Sequence, residues 1–330
     1  MSDILLEVTN LSTHFYTDEQ VIPAVDGVSF RMNRGETLGI VGESGSGKSV
    51  TALSVMRLIP HPPGKIVGGS IRFKGEELLT KSDAEMRQIR GNQISMIFQE
   101  PMTSLNPVYT IGRQISEAIM LHQQVPKRQA VAKTIEMLTL VRIPLPEKRI
   151  RQYPHQLSGG MNQRVMIAMA LSCMPDLLIA DEPNTALDVT IQAQILEILK
   201  DLKERLGTSV LLITHDLGII AEMATQVLVM YCGRVMEYTD VRSIFKAPAH
   251  PYTVALLKSI PQVTGPKHKL YAIKGMVAAP RLGMVGCRFK ERCEDVFDRC
   301  WQEEPELMHV GQGLVRCWKY VEEHTNKEGK

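Results

Sequence analysis

Near Ile4–Val8, Val28–Met32 and Ile71–Lys74 apolar and polar residues alternate in short runs, the period of half-buried strands, and predict an antiparallel sheet early in the chain. Thr37–Val41 reads differently: an apolar run that ends in a glycine-rich turn, with a helical period after it. Ile94–Phe98, Leu177–Asp181 and Val210–Thr214 are likewise short and apolar, each succeeded by polar loop residues, as expected of parallel strands covered by helices. Between Ile94–Phe98 and Leu177–Asp181, about residues 111–173 carry helical periodicity and few strand signals, which predicts a helical subdomain inserted into an α/β core. After Val235 the pattern changes. His250-Pro251-Tyr252-Thr253 opens a short helix, and Pro261, Gly265, Pro266, Gly275 and Pro280 then break it into a loop-rich tail.

Composition narrows the partners. The 330 residues suffice for one large domain with an appendage or for two modest domains. With 38 basic and 36 acidic residues and 5% aromatics, nothing favours nucleic acid as the main partner. The start, Met1-Ser2-Asp3-Ile4-Leu5-Leu6-Glu7, lacks the basic and apolar regions of an export signal. No stretch approaches the roughly 18–20 apolar residues of a membrane-spanning helix, so membrane association is expected only through a partner.

Gly42-Glu43-Ser44-Gly45-Ser46-Gly47-Lys48-Ser49 fits G-x-x-x-x-G-K-[ST] between a predicted strand and a predicted helix. Glycines let backbone N–H groups close around phosphate oxygens, and the helix aims its positive end at the same anion. Lys48 is placed to hold the β- and γ-phosphates and Ser49 to offer its hydroxyl to Mg²⁺. The apolar strand at 177–181 ends in Asp181-Glu182: the first is a candidate Mg²⁺ ligand, the second a candidate base for the attacking water. Leu157-Ser158-Gly159-Gly160 opens a strongly helical run and forms a second anion cradle. One nucleotide does not need two cradles from one chain, so this one is expected to cap the γ-phosphate held by a second subunit.

Together these motifs resemble the ATP-binding cassette (ABC) family of transporter ATPases over about residues 4–245. They appear in order: the phosphate loop through Ser49 and Val50, Gln99, the LSGG signature at 157–160, Asp181-Glu182, the Ala186-Leu187-Asp188 turn and His215. The resemblance implies a P-loop α/β fold: a RecA-like parallel core, an N-terminal antiparallel β-subdomain, an inserted helical subdomain at about 100–175, and a cysteine-bearing extension at 251–330 after a cassette at 1–250. It implies that Gln99 touches Mg²⁺ and the water, that His215 contacts the γ-phosphate, that Asp188 crosses a dimer interface, and that adenine stacks on Phe15, with Tyr16 as the alternative. Asn162 and Asn184 depart from the family pattern beside functional motifs without replacing a catalytic group. Intact Glu182 and His215 speak against a module that only holds ATP, and the single set of motifs against a two-cassette remodeller of nucleic acid or ribosomes.

Phe98-Gln99-Glu100-Pro101-Met102-Thr103-Ser104-Leu105-Asn106-Pro107, Tyr153-Pro154-His155-Gln156-Leu157 and His250-Pro251-Tyr252-Thr253 narrow the resemblance to ATPase subunits of bacterial peptide importers, with nickel importers as relatives. That implies a second cassette (a sister chain or another copy), two membrane permeases, an external binding protein, and a place on the cytoplasmic face of the membrane. Cys287-x5-Cys293-x6-Cys300-x16-Cys317 supplies four thiols, which could hold an iron–sulfur cluster or a structural zinc or stay free, though the gaps exceed the paired spacing of zinc sites. The resemblance implies a four-iron, four-sulfur cluster there. Cys173 and Cys232 fall inside predicted elements and read as buried structural residues.

Overall fold

The computed structural model describes residues 3–99, 104–183, 188–260 and 271–321. Backbone contacts divide the chain into two compact units, one made of Asn33–Glu36 and Thr80–Ile213, the other of Ser2–Met32, Thr37–Leu79 and Thr214–Lys330.

The second of these carries the antiparallel sheet, in the order Val21–Asn33, Ile4–Tyr16, Gly64–Phe73 and Glu76–Glu77. Its strands are longer than the alternation in the sequence because the alternation shifts phase along them. Val25 and Val28 are both buried although three residues apart, and between them Gly27 takes a φ of 67°, a conformation costly for residues with a Cβ. The same device acts at Asn10, with a φ of 49°, inside the irregular pairing between Thr9 and Ser12. In this unit Thr37–Val41 runs parallel to Gln226–Tyr231, which turns back antiparallel into Arg234–Asp240. The loop-rich reading of the tail misses a hairpin: Met308–Val310 and Gly313–Val315 pair, and the second strand adds to Arg234–Asp240 through Glu237 and Tyr238.

The other unit stacks Ile94–Ile97, Leu177–Asp181 and Ser209–Ile213 as parallel neighbours, with every residue of the last two strands buried. The helices Ile111–Gln123, Lys127–Leu140 and Gly159–Leu171 fill the stretch read as helical. Thr110 and Ser158 cap two of them through side-chain oxygens that accept backbone N–H groups.

His250-Pro251-Tyr252-Thr253 is a helix start. His250 Nδ1 accepts from the Tyr252 N–H at 3.0 Å, Pro251 occupies the first helical turn, and the buried Glu237 carboxylate accepts from the N–H groups of Ala249 and His250 at 2.9 and 2.8 Å. Burial pushes the His250 pKa down to about 3, which the backbone of Arg316 only partly offsets. A lowered histidine value means the unfolded chain takes up a proton that the native chain refuses. Stability from this site is therefore full above about pH 6.5 and falls as pH drops toward 3, by up to about 1.4 kcal/mol per unit. His250→Asn, which keeps a capping acceptor but cannot titrate, is expected to flatten the slope between pH 6.5 and 5 in urea-unfolding measurements; an unchanged slope would assign it to other groups.

Candidate active site

The phosphate loop leaves the strand Thr37–Val41 and enters the helix Lys48–Val55. Close packing explains its glycines. A Cβ on Gly42 would lie 2.2 Å from the Met230 carbonyl oxygen, and one on Gly47, at a φ of 101°, 2.4 Å from that of Ala24. The Gly233 N–H donates to the Ser46 carbonyl at 3.0 Å, so the loop is braced from neighbouring strands. Lys48 is buried, and its Nζ donates to the carbonyls of Gly42 and Glu43 at 2.8 and 3.0 Å, which holds the cation at the loop's mouth. Ser46 is buried with its Oγ unpartnered, Ser44 and Gly45 are exposed, and Ser49 and Val50 are half-buried. In the same unit His215 is exposed at the corner after Thr214, whose N–H donates to Ile40 at 3.2 Å, beside the strand that leads to the loop. Phe15 pairs with Gly64 and is half-buried, whereas Tyr16 is 48% exposed.

The other unit holds the carboxylates. Asp181 is buried at the end of its strand. Glu182 follows with a φ of 46°, a left-handed conformation just past the end of the strand. Its N–H is held by Ile213 at 2.9 Å, and its Oε2 accepts from Gln99 Nε2 at 3.0 Å. Sequence spacing gives no hint of this contact between residues 83 apart. At the second cradle Ser158 Oγ accepts from the Met161 N–H at 3.4 Å, and Ser158 and Gly159 are exposed. Gly160 is required by packing, because a Cβ there would meet Ile191 Cγ2 at 2.9 Å. Ile191 in turn donates its N–H to Asp188 Oδ1 at 3.0 Å, so Asp188 caps the helix Val189–Leu206 that lies against the signature. Ala186, Leu187 and Asn184 lie outside the described residues, as do Glu100–Thr103 of the segment after Gln99.

Residues 25–185 match the ABC transporter family, and residues 236–300 match the oligopeptide/dipeptide transporter C-terminal region. A probable peptide ABC transporter ATP-binding protein, y4tR of Sinorhizobium fredii, is 54% identical over 320 residues, 96% of each chain. The chain belongs to the ABC transporter family. The oligopeptide transport ATP-binding protein AppD of Bacillus subtilis is 53% identical over 97% of this chain and 98% of its own. Among solved structures, the ATP-binding cassette MJ0796, in a dimeric post-hydrolysis state bound to ADP and Pi, superposes with a TM-score of 0.65 at 27% identity, over 72% of this chain and 99% of that one.

This ABC ATPase therefore has the P-loop cassette fold with a parallel sheet and an antiparallel β-subdomain, and its substrate is ATP with Mg²⁺. Its departure at Asn162 has a structural reason: the side chain is buried and Nδ2 donates to the Pro154 carbonyl at 3.1 Å, tying the signature helix to the turn before it. Next to it, buried Gln163 donates to the Pro183 carbonyl, beside Glu182. No helix among the described residues is long and apolar enough to cross a membrane.

All six cysteines are free, and Cys173 and Cys232 are buried. The four tail cysteines share one neighbourhood. The Cys287 N–H donates to the Cys300 carbonyl at 2.8 Å, burial pushes the Cys287 thiol up to about 12, and Cys300, Cys317 and Cys293 each add to the rise. Burial also pushes Cys293 up to about 11, with Cys317 and Cys300 contributing, and raises Cys317, with Cys300 contributing. The Cys287 thiol thus feels the other three. Even so, no group of three or more His, Cys, Asp or Glu among the described residues could hold a metal ion.

Proposed function

We propose that the chain is the ATP-hydrolysing subunit of a membrane importer of di- and oligopeptides. Lys48 and the loop from Gly42 to Val50 hold the phosphates, and an aromatic at Phe15 or Tyr16 takes the adenine. Ser49, Asp181 and Gln99 hold Mg²⁺, which when bound neutralises charge on the β- and γ-phosphates. Glu182 takes the proton of the attacking water, the bond from the γ-phosphorus to the bridging oxygen breaks, and ADP leaves with phosphate. Gln99 orients Glu182 and the water, and His215 contacts the γ-phosphate. The observation that carries the hydrolytic reading is the Gln99–Glu182 hydrogen bond at a left-handed strand end, which turns a carboxylate out of the sheet and fixes it.

The signature Ser158–Gly160 completes the site of a second cassette, a sister chain or another copy, with Asp188 at that interface. The dimeric neighbour supports the pairing. The subunit sits on the cytoplasmic face of the membrane through two permeases fed by an external binding protein. ATP draws the cassettes together, and hydrolysis lets them part. The cargo follows from relatives named for peptide and oligopeptide transport and from the matching C-terminal region. Cells lacking the chain are expected to lose accumulation of labelled di- and oligopeptides while nickel uptake persists; the reverse would reassign the cargo.

The tail cysteines Cys287, Cys293, Cys300 and Cys317 bind a four-iron, four-sulfur cluster. The gaps of Cys287-x5-Cys293-x6-Cys300-x16-Cys317 are wider than the paired spacing that zinc sites prefer, which supports the cluster over zinc. Anaerobically purified protein is expected to be brown, with about four iron and four sulfide per chain; a colourless, zinc-containing sample would overturn this.

A further inference from the structure

The phosphate loop contains a residue that works against its purpose. Glu43 is the first variable position of the loop, and a free carboxylate there would repel the phosphate groups the loop encloses. In the structure that carboxylate is not free. Arg292 grips it with both terminal nitrogens, Nη1 to Oε2 at 2.5 Å and Nη2 to Oε1 at 3.0 Å, in a fork that is the strongest geometry for such a pair. The partners are 249 residues apart, and the Arg292 side chain is only 4% exposed.

The guanidinium is itself held from several sides. Its Nε donates to the Lys274 carbonyl at 3.0 Å, and the group lies over the Tyr231 ring at 5.7 Å. Tyr231, Tyr252 and Phe289 pack as a cluster of rings with centroids 4.8 to 5.3 Å apart. From that cluster the Tyr252 hydroxyl accepts the Glu43 N–H at 2.9 Å, so both the carboxylate and the backbone donor of Glu43 are turned toward the C-terminal segment. Arg292 directly precedes Cys293.

We propose that Arg292 is a positioning residue of the ATP site, acting through Glu43: it neutralises the carboxylate inside the phosphate loop and draws it away from the bound triphosphate. The cysteine-bearing segment is thereby a working part of the nucleotide site. This rests on the ATP-binding role of the loop, and Lys48→Ala checks that role separately: if Lys48→Ala leaves ATP turnover intact, the reading of the site fails before Arg292 is tested.

The test is steady-state ATPase of the full chain. Arg292→Met keeps the apolar stem and removes the charge. It is expected to raise KM for ATP about tenfold, equivalent to about 1.4 kcal/mol, with kcat within about twofold. Arg292→Lys, a point charge without the fork, is expected to fall between the two. In the Arg292→Met background, Glu43→Gln removes the uncompensated charge and is expected to bring KM back to within about threefold of the parent. A loss of fold or of packing alone would not be repaired by that second change. An unchanged KM in Arg292→Met, or a double variant as impaired as Arg292→Met, would overturn the proposal. Should Arg292→Met fail to fold, Arg292→Gln with and without Glu43→Gln gives the same comparison.

Discussion

Glu182→Gln is expected to cut ATP turnover by about a thousandfold while leaving ATP binding intact. The change removes a proton acceptor and little else. The amide has the shape of the carboxylate, can still accept from Gln99 Nε2 at 3.0 Å, and leaves in place the backbone N–H bond to Ile213 that holds the left-handed turn. With hydrolysis blocked, ATP stays between the two cassettes, and size-exclusion chromatography in ATP is expected to show a persistent dimer where the parent chain relaxes to monomer. The combination matters, because slow turnover alone would follow from any damage to the loop. Unchanged turnover would remove Glu182 from its role as base.

The strand ending in Asp181-Glu182 shows what the sequence carries openly. A run of five buried residues has no solvent face to disguise it, and its bounds in the structure are those the apolar run predicts. Thr37–Val41 is equally plain. The long N-terminal strands are legible only in part, since their alternation shifts phase, between Val25 and Val28 and at the irregular pairing of Thr9–Ser12. The tail hairpin escapes because each strand has three residues, too few to establish a period, and because its stability comes from pairing with Arg234–Asp240.

The contacts that escape altogether are charges meeting across the fold. Asp26 accepts from Arg288 at 2.8 Å and pairs with Arg234 at 3.1 Å, and both arginines also pair with Glu304. Nothing local in the sequence marks these residues as partners, and Arg288 is buried only because two carboxylates come to it. The same holds for Glu43 and Arg292. Motifs disclose the groups that must touch ATP, since that chemistry fixes their spacing; the groups that hold the motifs in place are chosen by the tertiary fold.

Ser158→Arg and Lys48→Ala are each expected to lower ATPase activity by at least about a hundredfold, and a mixture of the two inactive proteins is expected to regain activity. Ser158 caps the signature helix and is exposed, so a large cation there costs little to the fold but fills the cradle proposed to take a neighbour's γ-phosphate. Lys48→Ala removes the cation at the loop's mouth. On the proposed shared-site reading, each site of a symmetric pair takes its loop from one protomer and its signature from the other. A mixed dimer therefore places both defects in one site and leaves the other whole. With random exchange half of the dimers are mixed and each has one good site of two, so about a quarter of the parent rate is expected if the sites act independently. Recovery requires that the two cradles serve different chains, because neither protein holds an intact set of its own. If crosslinking shows mixed dimers and the mixture stays inactive, the shared site is refuted, and with it the reason for a second cassette.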